Sequence, residues 1–171
     1  MRARIQAPHG FTLLELLVVI ATVLILIALT FGVLAHIATA AKCKQTNMTL
    51  TKLQAALEDY GSENGEAYPS SDGDPSGLKG AENLYACLTA TTPGKHAPYM
   101  VPTQENLQQG PTPRFVDAWN HPIRYFNHAD YANHPPNKHS FRLISDGPNA
   151  QFENGAAGSD DIVNWDKADP K

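Results

Sequence analysis

Three places in the chain hold side chains that could do chemistry. The first is Glu15, a single carboxylate inside the apolar stretch PHGFTLLELLVVI, residues 8–20. A bare carboxylate in hydrocarbon costs several kcal/mol, so it must snorkel to a membrane edge or meet a cation. The second is SDGPNAQFENGAAGSDD, residues 145–161, dense in Asp, Asn and Gly. Calcium is held by six to eight oxygens from carboxylates, amide side chains and backbone carbonyls, and a loop of this composition supplies them at little steric cost. The alternative is a solvated acidic loop in which Asp160 caps a turn. The third is His121, His128, His134 and His139. Imidazoles suit zinc, but this spacing fits no familiar ligand pattern, and the His-Pro pairs at 121–122 and 134–135 mark turns. No nucleophile stands with a base in a recognisable constellation, so no catalytic residue is expected and the chain reads as a non-enzyme.

The elements that must carry these residues divide sharply. The chain has 171 residues, a net charge of −4 and 18% charged residues, which does not suit a nucleic-acid partner. Nearly all strong apolar density lies between Phe11 and Ala41. Leu16 to Ala35 gives 20 residues without a formal charge, roughly 30 Å as a helix, the thickness of a bilayer's hydrocarbon core. Arg2 and Arg4 favour a cytoplasmic N-terminus, against Lys42 and Lys44 on the far side. The helical pattern continues through Met48, Leu50, Leu53, Ala56, Leu57 and Tyr60, predicting one helix from Phe11 to about Tyr60 that stops at Gly61 or Gly65.

The rest reads as a small domain. Residues 61–80 are loop by composition, 81–91 a short helix with Leu84, Cys87 and Leu88 on one face, and 92–113 irregular. WNHPIRYFN (119–127) and HSFRLIS (139–145) predict two antiparallel strands around a turn-rich insert, with DDIVNW (160–165) as a third. Trp119 and Trp165 are expected in the core. Cys43 and Cys87 leave two alternatives open: one disulfide in an exported domain, or two free thiols. The fold class is therefore α+β: a long N-terminal helix, transmembrane in its first half and amphipathic in its second, packed on a small C-terminal antiparallel sheet.

The stretch GFTLLELLVVI, after a basic leader ending in Gly10, resembles the N-terminal signature of type IV pilin-like proteins. The resemblance implies cleavage between Gly10 and Phe11 by a prepilin peptidase that also methylates the new Phe11 amine. It implies that Glu15 pairs with that amine on a neighbouring copy as helices stack into a filament. It further implies a leader over 1–10, a transmembrane and assembly helix over 11–35 and its amphipathic continuation over 36–61. A loop-rich region over 62–118 and a sheet region over 119–171 complete the domain plan. Many members of the family kink this helix at a proline; here the corresponding region offers Gly32.

The second half resembles the major pseudopilin of type II secretion. Asp117, Trp119, Pro122 and Tyr125 match its Asp-x-Trp-x-x-Pro-x-x-Tyr segment, and Ser145, Gly147, Asp160, Asp161 and Ile162 match its closing loop. By that resemblance calcium is bound by side chains of Asn149, Asp160 and Asp161 and by carbonyls of Asp146 and Gln151. Asn149 stands where the family usually has Asp, with Asp146 or Glu153 available to restore the charge. The implied function is a structural subunit that polymerises into a pseudopilus helping export folded proteins across the outer membrane. Its partners would be further copies, minor pseudopilins and an inner-membrane assembly platform. It would be a single-pass inner-membrane protein with a periplasmic C-terminal domain, and a periplasmic filament after assembly. The alternative on the same fold is a type IV pilus subunit for adhesion, motility or DNA uptake.

Overall fold

The structure is a computed structural model that describes residues 11–91, 97–108, 110–128 and 141–165, with the backbone alone for 30–35. The leader, Gly10 among it, and the insert from 129 to 140, with His134 and His139, lie outside the described residues.

Helix α1 runs from Leu13 to Glu63, 51 residues. It contains no proline, and its first half is mostly Leu, Ile, Val and Ala. The chain divides into two compact units, Met1–Thr39 and Ala40–Lys171, and α1 contributes to both. In the first unit the large apolar side chains from Phe11 to Leu29 are all exposed. The helix continues through Gly32 without a break in its assignment. Among the described residues no helix is long and apolar enough to cross a membrane. The 30–35 side chains, which complete the charge-free run of the sequence, are outside that description.

In the second unit α1 buries one stripe. Leu50, Leu53, Ala56 and Leu57 enter the core, and Thr46, one turn before Leu50, is fully buried and accepts a hydrogen bond from the Ala118 N–H at 3.2 Å. Met48, expected on this stripe, is 54% exposed against 2% for Leu50. Two residues apart on a helix means nearly opposite faces, so Met48 cannot share the Leu50 side. The helix passes Gly61, where the Tyr68 ring packs so closely that an added Cβ would stand 2.9 Å from it. It ends before Gly65, whose φ is +68°, with the Glu66 N–H closing back on the Gly61 carbonyl at 2.8 Å.

Helix α2, Leu78–Thr89, starts three residues before the expected 81. Its orphan N–H groups find Asp74, whose Oδ2 accepts from Leu78 at 3.0 Å and Lys79 at 2.9 Å while Oδ1 accepts from Ser76. These bonds, led by the one from Lys79, hold the Asp74 carboxyl down to about 2. Asp74→Ala should lower stability by about 1–2 kcal/mol near neutral pH. Because the folded pKa is depressed, this contribution is present above the unfolded value of 3.8 and disappears as pH falls towards about 2. Thermal melts should therefore show the gap between variant and wild type closing over that acid range.

Two small sheets complete the domain. Residues 92–113, expected to be irregular, include a 3₁₀ turn at Gln104–Asn106 and strand β1, Leu107–Gln108, antiparallel to β2, Arg114–Phe115. Two-residue strands are too short to show an alternating pattern. The second sheet has the order β3-β4-β5 with antiparallel neighbours: β3 Arg124–Asn127, β4 Phe141–Ser145 and β5 Ile162–Val163. Tyr125, Phe141 and Leu143 face α1 and α2 and join Leu53, Leu57, Leu84 and Leu88 in one core. Phe126 and Arg142 take the opposite face, with the Phe152 ring stacked 6.0 Å from Phe126 and the Arg142 guanidinium 4.7 Å from the Trp165 ring. Trp119 and Trp165, expected in the core, are only half-buried. Cys43 and Cys87 are free thiols; burial pushes the Cys87 thiol above its usual value, while a bond with Tyr60 pulls it down.

Candidate functional site

The N-terminal end of α1 closes on itself. The Thr12 N–H and hydroxyl both donate to Glu15 Oε2 at 2.9 Å, and the Glu15 N–H donates to Thr12 Oγ1 at 3.3 Å. This is a reciprocal cap, and Thr-Leu-Leu-Glu is its sequence signal. Thr12 is thus a contributor that the reading of charge and hydropathy passed over. Glu15 has a local reason to exist, with Oε1 left to accept from another partner. Below it, Leu13, Leu16, Leu17, Ile20, Ala21 and Leu24 line an apolar groove along the helix.

The second site is the segment between β4 and β5, held from three sides. Asp117, fully buried, accepts from the Trp119 and His121 N–H groups at 2.9 Å each and from the Ser145 hydroxyl at 2.6 Å. This gives the Asp-x-Trp segment its physical role: the carboxylate ties the turn before β3 to the end of β4. Asp146 takes a bidentate pair from Arg124 at 2.7 and 2.6 Å, and Arg124 also donates to the Ser76 carbonyl and lies 4.3 Å from the Phe152 ring. Arg142 donates to the backbone and side-chain oxygens of Asn154. Arg124 was not foreseen, since an arginine inside a strand pattern carries no signal of where its partner lies.

Of the expected ligands, Asp160 and Asp161 come together. Their carboxylate oxygens and one of Glu153 all lie within 4.8 Å of one another. Asp161 Oδ2 accepts from the Glu153 N–H at 3.2 Å and the Gly155 N–H at 2.7 Å, and Asp160 Oδ2 accepts from the Asn149 N–H at 3.0 Å. Asp160 Oδ1 is buried from solvent with no hydrogen-bond partner among the described residues. An orphaned buried carboxylate oxygen is costly, and a hard cation would relieve it, so the donor set fits calcium. The Asn149 side-chain oxygen accepts from the Gln151 N–H at 2.7 Å, and Asp146 gives its carboxylate to Arg124. Gly147 is required: its φ is +66°, and a Cβ there would stand 2.4 Å from the Asp160 carbonyl oxygen. His121 sits in the Asp117 turn with Nδ1 3.7 Å from Asp117 Oδ2. The metal-competent group found among the described residues contains no histidine. No protein-family model and no curated protein matches the chain, so what it does has to be read from its own residues.

Proposed function

We propose that this chain is the structural subunit of a type II secretion pseudopilus. A prepilin peptidase cuts between Gly10 and Phe11 and methylates the new amine. Residues 11–35 anchor the chain in the inner membrane with the C-terminal domain in the periplasm. An assembly platform stacks the helices into a homopolymer that minor pseudopilins complete. The observation that carries this reading is the exposed apolar surface of α1 from Phe11 to Leu29, with Glu15 at its N-terminal end. A contiguous apolar face of that extent is stable only against lipid or against other copies of itself. Its one acid is half satisfied by Thr12, and the Phe11 amine of a neighbour supplies the rest.

The loop after β4 takes one calcium ion through Asp160, Asp161 and oxygens of the 146–151 turn. The ion's part is structural: binding only the folded loop, it stabilises the domain by mass action.

The experiment is intact-mass analysis of the protein from its native host, with electron microscopy of filaments released from the periplasm. The expected result is a chain that starts at a methylated Phe11 and is recovered in filaments. A chain that retains Met1 and stays monomeric in the membrane overturns the proposal.

A further inference from the structure

We infer that Asn64 is a site of spontaneous covalent modification, where reaction with the Gly65 backbone and then with water converts it to aspartate or isoaspartate, and that the fold withholds the same chemistry from Asn154. The sequence holds two Asn-Gly pairs, 64–65 and 154–155. In such a pair the glycine nitrogen is unhindered, with no Cβ beside it, and asparagine is among the thermolabile residues. That nitrogen attacks the asparagine Cγ. The new N–Cγ bond closes a succinimide, the Cγ–Nδ2 bond breaks, and ammonia leaves with the proton of the former N–H. Water then opens the ring at either of its carbonyls.

The two pairs differ in what holds the attacking nitrogen. At the first, the Gly65 N–H makes no hydrogen bond among the described residues, and an added Cβ there would meet nothing within 4 Å. Asn64 and Gly65 lie just past the end of α1 and are exposed, so water reaches both. The Asn64 side chain is tied through Nδ2, the nitrogen that departs, to the Tyr60 carbonyl at 2.8 Å, and it also bonds the Tyr99 hydroxyl. An exposed helix end of this kind opens at little cost.

At the second pair the Gly155 N–H donates to Asp161 Oδ2 at 2.7 Å. The space beside Gly155 is filled, since an added Cβ would stand 2.5 Å from the Trp165 ring and 3.0 Å from Val163. Asn154 is pinned as well, its backbone and side-chain oxygens accepting from Arg142 at 3.1 and 2.9 Å. Reaction there waits for these contacts to open together.

Conversion at 64 places a new carboxylate at the C-terminal end of α1, where the helix dipole favours cations and Glu63 and Glu66 already stand. The isoaspartyl product also adds a methylene to the main chain, inside the turn that the Glu66 N–H closes on the Gly61 carbonyl at 2.8 Å. The end of α1 loosens, and with it the Tyr60 and Tyr68 rings packed against the core.

The test ages the full chain in detergent by warming at mildly alkaline pH, with a urea-unfolded sample alongside. Peptide-mapping mass spectrometry reads the amide-to-acid mass gain and the separate aspartyl and isoaspartyl products at each pair. The expected result in the folded chain is conversion at Asn64 about tenfold or more faster than at Asn154, with the two rates drawing together in urea. Asn64→Gln should remove the early conversion and keep, after ageing, the melting midpoint that aged wild type loses. No conversion at Asn64, or a rate at Asn154 equal to it or higher in the folded chain, overturns the inference. A gap in urea as wide as in the folded chain overturns the protection of Asn154 by the fold.

Discussion

Glu15→Ala is expected to abolish filaments while leaving a chain that is still made, inserted and processed. Two contributions disappear with the carboxylate, and they differ in size. The first is the cap on α1, where Glu15 Oε2 accepts both Thr12 donors; losing it loosens only the first turn of the helix. The second is the proposed pairing with the Phe11 amine of the next copy. Leaving one partner of an ion pair uncompensated out of water is the costlier loss, and it recurs with every added subunit. Glu15→Gln separates the two, because glutamine serves in the same reciprocal cap but cannot hold an ammonium by charge. Immunoblots and electron microscopy of the periplasmic filament fraction should find filaments absent in both variants and present in wild type. Wild-type filament yield in Glu15→Gln would show that Glu15 only caps its helix, and the assembly reading would fall.

Gly80→Ala should be strongly destabilising to the globular unit although glycine to alanine is ordinarily favourable in a helix. A Cβ at position 80 would stand 2.2 Å from the Tyr125 carbonyl oxygen and 3.0 Å from Ser71 Cβ. The obstacle is strand backbone, which cannot rotate away as a side chain would. Elsewhere in an exposed helix the same change gains about 1 kcal/mol, so the sign itself tests the geometry. The approach is close because β3 is an edge strand whose outer side is covered by residues 68–80. Tyr125 N donates to the Gly77 carbonyl at 3.1 Å, the Tyr125 hydroxyl to the Pro69 carbonyl at 2.8 Å, and Asn127 N to Ser71 Oγ at 3.1 Å. A methyl wedged under α2 disturbs all three. Overpacking of this kind costs about 3 kcal/mol, or about 6–12 °C in melting temperature for a chain of this size. Thermal and urea melts should show it; an unchanged or raised midpoint would refute the contact.

These two positions divide what the chain discloses in its primary structure from what it does not. Glu15 could be singled out from hydropathy alone, because it is the one formal charge in an otherwise apolar run. The length of α1, the three strands of the second sheet and the Asp160–Asp161 pair were equally legible, since each is written in spacing along the chain: helical, alternating or adjacent. Thr12 carried a signal too, the Thr-x-x-Glu pattern, which hydropathy masks because threonine hardly interrupts the run.

Gly80, Asp74 and Arg124 were not legible. Gly80 looks like a loop glycine beside Gly77 until β3 is laid against α2, and its neighbour Tyr125 is remote in sequence. Asp74 caps α2 across an intervening turn, outside the usual capping position. Met48 and Thr46 exchanged places because the stripe facing the core depends on which side of α1 the sheet occupies, and apolar character alone does not say. The same holds for the acidic loop, where the resemblance named the Asn149 side chain and left either Asp146 or Glu153 to restore its charge. Only the folded chain shows Arg124 taking Asp146, Gln151 taking the Asn149 oxygen, and Glu153 brought to the acidic pair. Periodicity is a local property of the backbone and survives in the sequence; which polar group meets which depends on long-range pairings, and those exist only once the strands and helices have packed.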